Sequence, residues 1–182
     1  GARKEFPAVA VLVVEDNGTR VTIYDGDDPN LSMWMVFPTT DSQQNMVAGF
    51  NDHDIRSVAA LNGKICVVNW SSWNHGNLVQ IDLITDDALA TCHTNDKKWY
   101  GGIVNRNSAS YWLDIGSGST NYLYTNRCGD VAMYAFPDAP IDYKTGLPRP
   151  TIAVATETAI SVLLPDTSGT QFEKNDGRVI DI

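Results

Sequence analysis

The chain has 182 residues, 43% apolar and 19% charged, with a net charge of −9 and a pI near 4.6. This is enough chain and enough apolar content for one folded domain with its own core. The acidic balance disfavours nucleic acid and anionic membranes, and the longest apolar run, Ala8 to Val14, falls far short of the ~20 residues of a membrane-spanning helix.

In chain order, "PAVAVLVVEDNGTRVTIYD" opens as strand, turn and strand, with Asn17-Gly18 supplying the positive φ of a tight hairpin. A third strand is predicted at "MWMVF" (33–37) and a fourth at "NMVAGF" (45–50). "SVAALNGKICVVN" repeats the hairpin around Asn62-Gly63, followed by "LVQIDLI" (78–84) and "ALATC" (88–92). "GIVNRNSASYWLDI" does the same with a longer polar turn, followed by "YLY" (122–124) and "DVAMYAF" (130–136). The proline-rich "FPDAPIDYKTGLPRP" (136–150) reads as a stiff connection into "TIAVATETAISVLL" and a last strand, "RVIDI" (178–182). No 11-residue window shows helical spacing of apolar residues.

Aligning the second strand of each unit places Val21, Ile65, Tyr111 and Ile160 in register, at intervals of 44, 46 and 49 residues. Short antiparallel strands repeating every forty to fifty residues have the period of propeller blades. One small sheet cannot bury both of its faces alone, whereas stacked sheets can. The expected fold is therefore all-β, a β-propeller-like array of about four blade units at 8–50, 57–92, 102–136 and 150–182, in a single repeat domain. The alternative is a β-sandwich or jelly roll, whose strands also recur at short, even spacing. The fourth unit stops after its third strand, and the chain opens "GARKEF" without a methionine. The first feature favours a protein that continues past Ile182, and the second a processed or cloned fragment whose leader is missing.

Three blocks carry a resemblance: "EFPAVAVLVVE" leading to "VTIYDGDDPNLSMWMVF", then "DVAMYAFPDAPIDYKTGLP", then "RPTIAVATETAISVL". They resemble a propeller-like repeat region of large, poorly characterised tail-associated virion proteins of marine bacteriophages, which often carry a lectin-like jelly-roll domain further along. The likeness covers the two ends of the chain well and residues 50–129 poorly. It implies a virion-borne structural or host-contacting module, with other copies or other virion proteins as partners. It carries over no catalytic residue. The runner-up is a secreted, extracellular glycan-binding lectin or a glycoside-processing propeller enzyme.

Three stretches are candidate sites. "DGDDPN" gathers Asp25, Asp27, Asp28 and Asn30, oxygen donors suited to an irregular Ca²⁺ site. Counted from Asp25, however, the EF-hand pattern fails: position 5 is Pro29, position 6 Asn30 and position 12 Val36. The preferred reading is a turn between the second and third strands. "NWSSWNHGN" offers Trp70, Trp73, Asn74 and His75, and "KKWYGG" adds Trp99 and Tyr100. Aromatic faces stack on sugar rings while amides bond hydroxyls. The plainer and preferred alternative is that these tryptophans fill space between repeats. The last candidate is an interface: Arg178, Val179, Ile180, Asp181 and Ile182 form an apolar terminal strand with few charged guards, expected to pair with another strand.

Catalytic patterns are weak. Asp52, Asp54, Asp82, Asp86, Asp87 and Asp114 are available carboxylates, but only their separation in space could make a glycosidase pair. Asp114, Gly116 and Thr120 only faintly match an Asp-box turn, and "GSGST" lacks the spacing of a serine-nucleophile elbow. Cys66, Cys92 and Cys128 are too few and scattered for a disulfide framework, and the adjacent Cys92 and His93 lack further zinc ligands. The expectation is a non-enzyme with no cofactor, no nucleic acid and no membrane insertion.

Overall fold

Strand Lys64–Trp70 lies at the centre of the molecule, and its sequence, KICVVNW, shows why. Five consecutive residues, Ile65 to Asn69, are buried, so both faces of the strand are covered. Ile65 and Val67 belong to one apolar core, Cys66 and Val68 to a second. Side chains alternate across a strand, and an uninterrupted apolar run is what a doubly covered strand requires.

The structure, a computed structural model, describes residues 6–15, 19–38, 45–49, 54–70, 76–92, 94–108, 111–116, 123, 125, 127–165 and, for the backbone, 169–173. Among these the fold is all-β, with thirteen strands and no α-helix. In chain order the strands are β1 Ala10–Glu15, β2 Arg20–Asp25, β3 Met33–Pro38, β4 Asp54–Leu61, β5 Lys64–Trp70, β6 Asn77–Asp82 and β7 Asp87–Cys92. There follow β8 Asp96–Trp99, β9 Trp112–Gly116, β10 Cys128–Tyr134, β11 Thr151–Thr156, β12 Ala159–Leu163 and β13 Gly169–Glu173. They form three antiparallel sheets, β1-β2-β3, β4-β5-β6-β7-β8-β9 and β10-β11-β12-β13, each strand pairing with its neighbour in sequence.

Local chemistry explains the tight hairpins. Asn62 and Gly63 both take positive φ, 53° and 77°, closing β4 onto β5 in the predicted two-residue turn. Immediately after this turn, at the first residue of β5, Lys64 pairs in register with Asp82 and binds its carboxylate at 2.5 Å. Asp82 also accepts the N–H groups of Ile84 and Thr85, which shapes the turn into β7. Between β11 and β12, Thr156 Oγ1 accepts the Ala159 N–H at 3.1 Å and donates to its carbonyl at 2.8 Å.

The six-stranded sheet lies between the other two. Val21, Ile23 and Phe37 of the first sheet share a core with Ile65, Val67 and Ile81 of the second. Val131, Ile152 and Val154 of the third sheet close a separate core over Cys66, Val68 and Leu78. Face-packed sheets sit about 10 Å apart, so Cα atoms within 8 Å mark where sheets converge. Between sheets such approaches join β1 to β4, β4 to β10 and β5 to β10. The first strand of each sheet is thus drawn toward the first strand of the next.

Several expected elements differ. Three sheets occur among the described residues where the repeat spacing predicts four, and unit 102–136 is split between two of them. Its second strand, β9, extends the six-stranded sheet through β8, while "DVAMYAF" becomes β10, the first strand of the last sheet. The predicted strand at 102–105 is a 3₁₀ turn, Ile103–Asn105, pinned by Asp86, whose Oδ1 accepts the Ile103 N–H at 2.5 Å. The described part of the predicted strand at 45–50, residues 45–49, is a buried turn. Asn45 Oδ1 accepts the N–H groups of Val47 and Ala48, supplanting ladder partners, and Gly49 sits at φ 63°. The strand after β12 is Gly169–Glu173, and "RVIDI" with its proposed edge, Arg178 to Ile182, lies outside the described residues.

Candidate functional site

The acidic loop after β2 is a turn whose carboxylates are taken by the backbone. Asp25 Oδ1 accepts the Asp27 N–H at 3.0 Å, and Asp28 Oδ1 accepts the Asn30 N–H at 2.9 Å. Asp27 Oδ2 accepts from Ala8 at 2.9 Å, fastening the segment before β1 across the loop. The Ser32 side chain, then the Asn30 N–H, holds the Asp28 carboxyl below its ordinary value. Among the described residues no three His, Cys, Asp or Glu side chains gather as a metal site. The loop has the geometry of a chain reversal, with each of these carboxylates already ordering it.

The aromatic candidates divide. Trp99 on β8 is 0% exposed, in edge contact with Tyr111 and Trp112 at centroid distances of 5.6 and 5.3 Å. Its indole N–H donates to the Gly102 carbonyl at 3.0 Å, so it is a core residue and presents no ring to a ligand. Tyr100, one residue on, is 62% exposed and packs edge-on against Tyr111. Trp73, Asn74 and His75 lie outside the described residues.

Trp70 is the candidate that opens onto a groove. It ends β5, in register with Asp54 of β4, and an isolated antiparallel bridge ties it to Arg127 just ahead of β10. Its backbone is therefore held on both sides, at the seam between the second and third sheets. The Arg56 guanidinium lies 5.2 Å from the ring centroid and is paired with Asp54 at 2.5 Å. Across the seam Arg127 Nη1 donates to both carboxylate oxygens of Glu157, at 3.0 and 2.7 Å, and the Glu157 N–H donates to the Arg127 carbonyl. Ser57 Oγ donates to Asp130 Oδ1 at 2.5 Å. Arg56, Trp70, Arg127, Asp130 and Glu157 line an open groove of about 540 Å³. A second open groove, of about 380 Å³, runs along Phe136, Pro140, Leu164 and Pro165 and is mainly apolar.

The described carboxylates considered for catalysis are spread over four strands and one turn, each with its own partner. Asp54 pairs with Arg56, Asp82 with Lys64, and Asp86 with the Ile103 N–H. Asp87 accepts the Thr85 hydroxyl at 3.0 Å, and Asp114 accepts both Asn95 Nδ2 and the Gly116 N–H. Asp52 and Thr120 lie outside the described residues. Arg56, Arg127, Asp130 and Glu157 were not legible as site residues. Arg127 and Glu157 are thirty residues apart, and no spacing rule connects them.

Comparison of the chain with protein-family models, curated proteins and solved structures gives no match. Among the described residues no helix is long and apolar enough to cross a membrane.

Proposed function

We propose that the chain is a non-enzymatic module of a phage tail or virion surface, a structural or host-surface-contacting unit built from propeller-like blades. The observation that carries the architectural part is the convergence of β1, β4 and β10, the first strands of three successive meander sheets. Blades that radiate from an axis bring their first strands together and spread their later strands outward, with few exposed edges. The three sequence blocks that resemble tail-associated phage proteins support the setting. The groove at Trp70, open at the seam between two sheets, supports contact with a partner or surface.

Gold-labelled antibody against the chain, applied to intact particles of a phage that encodes it, should decorate the tail or outer surface. Purified particles without label overturn the virion assignment. The purified protein incubated with a panel of bacterial and algal polysaccharides should release no reducing ends. Release above a heat-denatured control overturns the non-enzymatic assignment.

A further inference from the structure

We propose that the groove between the six-stranded and four-stranded sheets binds a neutral saccharide, with one sugar ring laid against Trp70. The proposal rests on the host-surface reading for the source of the sugar, and on the groove alone for its chemistry. Trp70 is half-buried at the end of β5, and ladder partners on both sides hold its backbone, Asp54 and Arg127. The Arg56 guanidinium stacks over the ring 5.2 Å from its centroid, so the C–H face of the sugar meets the face that Arg56 leaves free, and a ring held before the ligand arrives loses little conformational freedom on binding.

The polar groups around that ring suit hydroxyls. Glu157 and Asp130 present carboxylate oxygens, and Arg56 and Arg127 present planar forks of N–H donors. A pair of neighbouring sugar hydroxyls donates to the first kind and accepts from the second. The Arg127–Glu157 pair has side chains 46% and 55% exposed. An exposed pair of this kind holds its geometry weakly and can share its hydrogen bonds with a ligand. The groove volume, about 540 Å³, falls within the ~300–1,000 Å³ of ordinary small-ligand sites.

Charge selects the class of sugar. Two carboxylates, Asp130 and Glu157, and two guanidinium groups, Arg56 and Arg127, line the groove, and Asp54 pairs with Arg56 from beside it. The whole chain carries −9. A uronate or sialic acid would have to break an existing ion pair and leave its carboxylate uncompensated. A neutral ring needs neither.

The test is isothermal calorimetry on the full chain with maltotriose, cellotriose, mannotriose and chitotriose, set against trigalacturonate and sialyllactose. At least one neutral trisaccharide should bind saturably and more tightly than either acidic one. Trp70→Ala should weaken that binding about tenfold or more. Trp70→Phe, which keeps a ring, should recover most of it, and Glu157→Gln should weaken it with the melting temperature unchanged. Loss of binding in both Trp70→Phe and Trp70→Ala with the fold intact, binding indifferent to Trp70→Ala, preference for the acidic sugars, or no binding of any neutral sugar overturns the proposal. Antibody-labelled particles whose isolated chain binds no neutral sugar would overturn the saccharide class and leave the virion reading standing. Sugar binding by a chain that no particle displays would do the reverse.

Discussion

The polar side chains of this protein act mainly on backbone, and the buried thiols show the opposite extreme. Cys66, Cys92 and Cys128 are all free and buried. Burial pushes the thiols of Cys66 and Cys128 up to about 12, against a small opposing pull from Lys64 at Cys66. A thiol that neither ionises nor meets solvent does not react. At pH 8 Cys66 and Cys128 should therefore resist a disulfide-exchange reagent in native buffer and react fully in denaturant, as read by released chromophore. Trp99 is the other residue on which much depends. Its ring fills the first core and its N–H closes the Gly101–Asn105 turn. Trp99→Ala should cost about 3–5 kcal/mol, measured by urea unfolding, with no effect on saccharide binding at Trp70.

Among the elements, the β4–β5 hairpin is specified at its turn, and the Lys64–Asp82 pair beside that turn ties β5 to β6. Gly63 has φ 77°, and a Cβ there would lie 2.5 Å from Ile84 Cδ1. Gly63→Ala should destabilise the chain by about 1 kcal/mol or more, seen as a lower urea midpoint at unchanged slope. The Lys64–Asp82 pair sets a pH dependence. Burial alone would raise the Asp82 carboxyl, but the Lys64 ammonium and the N–H groups of Thr85 and Ile84 outweigh it and hold the carboxyl below its ordinary 3.8. A carboxyl depressed on folding stabilises fully above its unfolded value and loses that contribution as pH falls through the folded one. Melting temperature should thus drop below pH 3.8, and Asp82→Asn should flatten that acid limb while lowering the plateau. The hairpins themselves were legible because Asn-Gly turns and alternating β-branched residues act over a few positions. The strand β8 was not, because "DKKW" is short and charged, and the ladders to β7 and β9 on its two sides make it a strand.

At the scale of the whole molecule, β5 and β6 belong to both cores, so neither core can open alone. Ile65 on the face toward the first sheet and Leu78 on the face toward the third are each at most 1% exposed. Ile65→Ala and Leu78→Ala should each cost about 2–5 kcal/mol. Both should shift a single urea transition, with far-UV and near-UV dichroism coinciding. Two separable transitions in either variant would mean that the sheets fold independently. The groove belongs to this scale as well. Its walls are Arg56 and Trp70 from one sheet and Arg127, Asp130 and Glu157 from the next, so it exists only while the seam is closed.

The all-β class, the hairpins at Asn62-Gly63 and Thr156–Ala159, and the turn at Asp25–Asn30 follow from the order of residues alone. Each depends on contacts within a few positions: a positive φ, a side chain capping its own turn, or an apolar alternation. The grouping of strands into sheets did not follow, and neither did the inversion of "NMVAGF" from strand to turn or the transfer of "DVAMYAF" to the last sheet. An apolar run states that a strand must be covered, but it does not name the strand that covers it. For Asn45–Gly49, Asn69 Nδ2 bonds the Val47 carbonyl and Asn77 Nδ2 the Ala48 carbonyl. Those partners lie twenty or more residues away and meet the turn only when the first and second sheets pack. Trp70 and Trp99 looked alike in the sequence for the same reason. Burial is a property of what packs above a residue: Trp99 is fully covered, whereas Trp70 is partly covered and lines the groove.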